Sequence, residues 1–452
     1  MERGLCMVAG RHICGQRRAT PPGVPVTIAH RYVTFDTLVA IFPGLASFCT
    51  GSPPLFLAEC VNARGKIQGM DPRQKDWTNL LFLLLSPIAG IGGTILYSSR
   101  FGVQWWEPTL CLTLFFAIGL SIGSGYHRYF SHRAYECHPA VESVMLFFGA
   151  MALQNSALQW SRDHREHHRF VDTDRDPYNI KRGFLWAHIL WIFYKQDPDR
   201  NFDAVPDLKR NPRVMWQHRY ARVIGIGVGL GLPTLVGAFF GRPLGGLLWG
   251  GFLRIVLVHH TTFFINSLAH MWGARPYSTE NTARDNWFLA FFTHGEGFHN
   301  FHHAFPSDFR NGIRWYHWDP NKWLIQSFRA TRLARNLRVT PPPLVENAKL
   351  KVAAAVTEAR LARVPTGIAD DLRTRAEQAR ARMEETLNLW KEAYARACEL
   401  KAAKRTGQRP PSETMREIRR QMREYERRFR ATRLEWKAAL DRFTDLPAVQ
   451  GF

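Results

Sequence analysis

Four apolar stretches of membrane length constrain this chain most. Leu80–Tyr97 runs for 18 residues without a charge, and Trp105–Ile122 carries only Glu107 at its edge. Val223–Phe240 and Leu244–Ala269 form a second pair. A helix needs about 20 apolar residues to cross the hydrocarbon of a bilayer, so helices are expected at about 80–97, 105–122, 223–240 and 246–269. The turns within each pair, Ser98–Gln104 and Gly241–Pro243, carry only Arg100 and Arg242, whereas the segments between and after the pairs are rich in Lys and Arg. The positive-inside rule then puts both termini on the cytoplasmic side. An all-α, multi-pass integral membrane protein follows, with two helical hairpins and a cytosolic helical cap.

Three histidine clusters lie just outside those stretches: His127-Arg-Tyr-Phe-Ser-His132, His164-Arg-Glu-His167-His168 and His299-Asn-Phe-His302-His303. They hold eight of the eighteen histidines. Spacing of i, i+3, i+4 gathers three rings on one helix face. The i, i+5 spacing of the first cluster does so less well and suggests a helix end. Neutral imidazole is the commonest metal ligand and suits Fe, Zn, Cu and Ni. Eight rings exceed the needs of one tetrahedral ion, so two metals sharing one cage are expected, with the clusters on one side of the membrane. That requirement makes Val141–Leu158 and Phe184–Tyr194 interfacial or cap helices rather than further spans.

The remaining composition bounds the partners. The formal charge of +22 favours anionic ones. Beside membrane segments these are lipid headgroups and phosphorylated substrates rather than nucleic acid. Seven cysteines are scattered with no CxxC pair, which argues against a zinc ribbon or a disulfide scaffold. Residues 1–70 are poorly patterned, and Met70 is a candidate true start. Residues 344–452 read as a basic extension of charged helices broken at Pro365 and at Pro410-Pro411; 345–445 carry 24 Lys/Arg against 16 Asp/Glu. The membrane domain is thus expected over 71–343.

The clusters, in this order, resemble the membrane fatty acid desaturases, specifically the acyl-CoA Δ9 (stearoyl-CoA-type) branch. Further strings carry the likeness: Trp160-Ser-Arg-Asp-His-Arg-Glu-His-His168, Asp176-Pro177, Arg182-Gly183-Phe184, Asn266-Ser-Leu-Ala-His270 and His299-Asn-Phe-His-His-Ala-Phe-Pro306. The resemblance implies two irons held by the eight clustered histidines and His270, with Asn266 holding a water on one iron. It implies O2-dependent formation of a cis double bond in a saturated long-chain acyl-CoA. It also implies substrate contacts at Asn79, Phe115, Gly119, Gln154, Asn155, Trp160, Arg162, Asp163, Lys195, Thr262 and Phe263. Phe115 and Gly119 match the closed end of the family's acyl tunnel. Lys195-Gln196 stands where the family often has two basic residues, which leaves an acyl-lipid substrate open. No catalytic residue beyond the metal ligands is expected.

Two electrons per turnover must come from elsewhere. The sequence contains no His-Pro-Gly-Gly haem string, no ferredoxin-like cysteine spacing and no GxGxxG after a strand. Electrons derived from NAD(P)H are therefore expected through a separate reductase and a b-type cytochrome or ferredoxin carrier. Rival readings are a membrane di-iron hydroxylase, which would insert oxygen, a basic membrane adaptor indifferent to its histidines, and a metal transporter, which would want ligands along its spans.

Overall fold

The computed structural model describes residues 70–196, 202–362, 370–406 and 412–444. The N-terminal residues whose sequence is poorly patterned, and with them the question of a start at Met70, lie outside them, as do the breaks expected at Pro365 and Pro410-Pro411. Four helices are long and apolar enough to cross a membrane: α1 (Trp77–Phe101), α2 (Trp106–Ser131), α5 (Pro212–Phe239) and α6 (Pro243–Met271). All four expected spans are present, and two, α2 and α5, extend well past their apolar stretches. Hydropathy marks where charge begins, whereas a helix stops where its backbone hydrogen bonds are capped. The α5 helix starts eleven residues early because the Asn211 side chain accepts from the Arg213 and Val214 amides.

The two hairpins are tied together at their turns. Buried Glu107, at the start of α2, accepts from the Tyr97 hydroxyl (3.1 Å) and the Gln104 amide (2.7 Å), and pairs with Arg242 at 3.2 Å. Arg242 also donates to the Phe101 and Gly102 carbonyls, so it caps α1 from the opposite hairpin. Helices α5 and α6 approach closely through Gly237 and Gly246, where any Cβ would collide with facing backbone. Along α1 and α5 the side chains Leu84, Ile88, Ile95, Ile226, Leu235 and Phe239 face outward, as expected of lipid-facing surfaces.

The stretch Val141–Leu158 is not one long helix. Helix α3 (Pro139–Ala150) ends where Leu153 and Asn155 take positive φ of 54° and 68°. Helix α4 (Ala157–Phe170) then begins, with Ser156 accepting from the Gln159 amide. Twelve residues of α3 reach only about 18 Å, too short to span. The non-helical turn is nonetheless buried, and α6 satisfies it. Arg254 donates to the Met151 carbonyl (2.7 Å), His259 reaches the Ala152 carbonyl (2.8 Å), and Gln154 donates to Thr262 (3.0 Å). Backbone at membrane depth must find such partners inside the protein. Around it Ile118, Ile122, Tyr126 and Phe130 of α2, Leu146, Leu158 and Val258 form the main core.

Three short helices complete the cap: α7 (Trp287–Phe292), α8 (His299–Ala304) and α9 (Pro320–Ala330). Two small antiparallel pairs, Met70–Lys75 with Tyr194–Gln196 and Glu136–Cys137 with Ala334–Arg335, tie distant segments. The C-terminal extension forms α10 (Pro342–Leu361), α11 (Asp370–Arg405) and α12 (Ser412–Thr444). It has a core of its own: Ala376, Ala379, Met383, Leu387 and Trp390 of α11 pack on Phe429 and Trp436 of α12 and on Leu350 of α10. The three- and four-residue spacing of the α11 series is a helix-packing seam.

Candidate metal centre

The last turns of α2 explain how an i, i+5 pair can converge. Residues 121–131 wind in wider i→i+5 turns, and the His132 amide donates to the His127 carbonyl at 3.1 Å. On an α-helix those side chains would sit about 140° apart, whereas the wider turn brings them back toward one face. Their rings lie 4.9 Å apart. Helix α4 supplies His164, His167 and His168, and α8 supplies His299, His302 and His303. Helix α6 breaks its regular turn at Ser267 and continues over Leu268–Met271, which carries His270.

These rings form two groups. His127, His132, His164, His168 and His302 make the first; His167, His270, His299 and His303 make the second. Within each group one nitrogen per ring lies within 4.8 Å of the others. On both α4 and α8 an i, i+4 pair enters one group and the third ring enters the other, so each helix straddles the two. All nine histidines named from the sequence are in these groups. The Asn266 side chain is half-buried and makes no hydrogen bond among the described residues.

The ring orientations fit cations. His127 Nδ1 lies 2.8 Å from Glu296 Oε2, and His167 Nδ1 lies 2.9 Å from Asp176 Oδ1. His270 Nδ1 lies 2.8 Å from Thr282 Oγ1, which itself donates to Asp172 at 2.6 Å. An ionised carboxylate only accepts, so Nδ1 carries the proton in these rings and Nε2 is bare. Nε2 atoms face one another within the groups: His127 to His302 and His302 to His168 at 2.9 Å, His132 to His164 at 2.8 Å, His303 to His299 at 3.1 Å. Where two bare Nε2 atoms meet, their lone pairs repel unless a cation lies between them. Burial, reinforced by the neighbouring rings, pushes His132, His164, His168, His299, His302 and His303 well below the usual imidazole range. They are therefore neutral imidazoles at neutral pH. Nine nitrogen donors with carboxylates behind the rings fit borderline transition metals.

Glu296 anchors this arrangement. Burial opposes its ionisation, but the Arg128 guanidinium and His127 hold it down at about 2. Arg128 is itself fully buried; it pairs with Glu296 (2.8 Å) and Asp319 (2.9 Å) and donates to the Phe309 carbonyl (2.8 Å). Sequence reasoning missed Arg128, Asp172, Thr282 and Glu296, and quoted Asp176 without a role. Glu296 lies three residues before His299 and Asp176 nine after His167, spacings too common to stand out.

The substrate candidates sit in three settings. Gln154, Thr262 and Phe263 line the buried turn against α6, and Trp160 stacks on His164 at 4.9 Å. Arg162 and Asp163 are a buried 2.9 Å pair on α4, with the guanidinium 5.1 Å from the Phe202 ring, and Asn155 is exposed nearby in sequence. Asn79 reaches the Ile192 carbonyl at 3.5 Å, close to the strand that carries exposed Lys195. Phe115 packs on His294 at 4.7 Å, and a Cβ at Gly119 would overlap that imidazole. Two further histidines are buried in packing roles. His294 fills this corner. His188 contacts Ser267 and His260, both at 3.0 Å.

The fatty acid desaturase family model matches residues 104–336, just over half of the chain. The chain belongs to the fatty acid desaturase family. It is 41% identical over 277 residues to a probable acyl-CoA desaturase of Schizosaccharomyces pombe, covering 60% of this chain and 56% of that protein. It is 38% identical over 279 residues to acyl-CoA desaturase 1 of Saccharomyces cerevisiae, covering 61% and 54%. An sn-2 palmitoyl-lipid 9-desaturase of Nostoc is 34% identical over 281 residues, covering 61% of this chain and 94% of the Nostoc protein. The desaturase-family chain therefore spans little more than half the length of its two yeast relatives. The family and the four long apolar helices together make it an integral membrane protein.

Proposed function

We propose that this chain is an O2-dependent fatty acyl desaturase that places a cis double bond, at Δ9, in a saturated long-chain acyl-CoA. The observation that carries this reading is the pair of histidine groups, five and four imidazoles, backed by carboxylates. Two irons would be held there, with Asn266 contributing through a water to the group that contains His270. Bound iron supplies the activation of O2 that removal of hydrogen from an unactivated CH2–CH2 requires. The reaction balances as saturated acyl chain, O2, two electrons and two protons giving the monoene and two waters.

The chain's own residues do the rest. Glu296, Asp176 and the Thr282–Asp172 pair keep Nδ1 protonated and aim Nε2 into the cage. Trp160 over His164 and Tyr178 over His167 (4.5 Å) exclude water from the rings. Gln154, Thr262 and Phe263 set the wall along which an acyl chain lies, and Phe115, Gly119 and His294 close its far end. Arg162, Asp163, Asn79, Asn155 and Lys195 receive the head group. The active site and both termini face the cytoplasm, where a separate reductase and carrier supply electrons.

A second reading, an acyl-lipid desaturase, draws support from the Nostoc relative, which the chain covers almost end to end. Lys195-Gln196, with one basic residue, is consistent with either head group. Expression in a desaturase-deficient host, with iron and a compatible reductase, tests both. New monoenes appearing first in the acyl-CoA pool support the main reading, first appearance in intact lipid supports the second, and none in either pool contradicts both.

A further inference from the structure

Resting on the desaturase reading, which needs electrons from outside, we infer that the C-terminal helical unit is the docking face for a small acidic one-electron carrier protein. Most arginines of the middle of α12 are neutralised: Arg420, Arg427, Arg428, Arg430 and Arg433 each pair with a glutamate. Arg416, Arg419 and Arg423 are exposed and pair with no carboxylate among the described residues. Spaced i, i+3, i+7, they form one line along the helix. Arg419 and Arg423 border a cleft of about 250 Å³ whose floor is apolar, made by Trp390, Tyr394 and Met422, with Pro342 and Glu426, the latter paired with Arg430, at its edge. An apolar centre rimmed by uncompensated positive charge suits an acidic protein surface. Such rim charges act chiefly on the association rate and its salt dependence.

The cleft also adjoins a bonded route to the cage. Thr340, two residues before Pro342, donates its amide to Asp308 at 2.7 Å. In the same loop the Phe309 carbonyl accepts from Arg128 at 2.8 Å, and Asn311 donates to Glu296, the partner of His127. A carrier seated on the cleft thus lies over the loop that holds up the first histidine group. Each docking oxidises one carrier by one electron, and two dockings supply the two electrons of the balance above.

The test uses the full chain in lipid nanodiscs and measures binding by fluorescence anisotropy. The probes are a labelled acidic [2Fe–2S] ferredoxin and a labelled soluble b-type cytochrome domain. Arg419→Glu/Arg423→Glu is expected to weaken binding of at least one probe about tenfold at low salt, with the difference shrinking as salt rises. Arg419→Gln/Arg423→Gln should give a smaller shift in the same direction. Arg420→Glu/Arg427→Glu, on the neutralised line, should change binding less than twofold. Equal weakening by both reversals overturns the assignment, as does no weakening by either. So does a loss confined to binding of anionic-lipid vesicles. Wild-type protein that binds a carrier through this line but forms no monoene keeps the docking face and sinks the desaturase reading.

Discussion

Glu296 Oε2 lies 2.8 Å from His127 Nδ1, and its other oxygen lies 2.8 Å from the Arg128 guanidinium. One buried carboxylate therefore fixes the tautomer of a proposed metal ligand and neutralises a buried cation from the next residue. Glu296→Gln keeps a hydrogen-bonding shape but removes the charge. It should lower metal affinity about 10- to 100-fold, the usual effect of losing a carboxylate behind a ligating histidine. Chelator titration followed by metal analysis checks this. Glu296→Ala should in addition destabilise the fold by about 3–5 kcal/mol, because Arg128 loses half of its ion pairing.

The second group has a longer support, His270 to Thr282 to Asp172. Thr282→Val removes the hydroxyl at nearly constant volume. The second group should then release its metal at lower chelator concentration than the first, so metal loss becomes biphasic. A single unchanged phase would show that the hydroxyl does not set ligand strength.

Arg254 is fully buried within α6 and donates to the carbonyls of Met151 (2.7 Å), Gly229 (2.6 Å) and Gly250 (3.0 Å). Arg254→Met would leave all three unsatisfied at a cost of about 1–3 kcal/mol each, less whatever relaxation recovers. A fall in unfolding temperature of several degrees is expected in detergent, with Arg254→Lys intermediate. Because Met151 begins the turn that carries Gln154, the loss should also raise the KM for acyl substrate.

The His294 imidazole occupies the space a side chain at Gly119 would need. Gly119→Phe must displace that ring and fill the far end of the proposed acyl path. The variant should prefer palmitoyl over stearoyl chains when offered a mixture. An unchanged product ratio would move the end of the path elsewhere.

Much of this arrangement was legible in the sequence, for separable physical reasons. The spans announce themselves because hydrocarbon tolerates little charge, and the histidine groups because metal binding needs several imidazoles close together. The ends of α2 and α5 were not legible, since those helices continue into polar sequence. The winding that lets His127 and His132 converge leaves no mark on composition. The seam joining Met383, Leu387 and Phe429 was hidden among charged residues. Glu296, Thr282 and Asp172 act through contacts between residues distant in sequence, which no local spacing reveals.

The most direct test is mass spectrometry of the acyl product formed by purified, iron-loaded protein from stearoyl-CoA, O2 and a reduced carrier. A product two hydrogens lighter with a cis Δ9 bond, lost together with iron in His302→Ala, is predicted. A product one oxygen heavier would contradict the account, as would unaltered stearoyl-CoA from protein carrying two irons per chain.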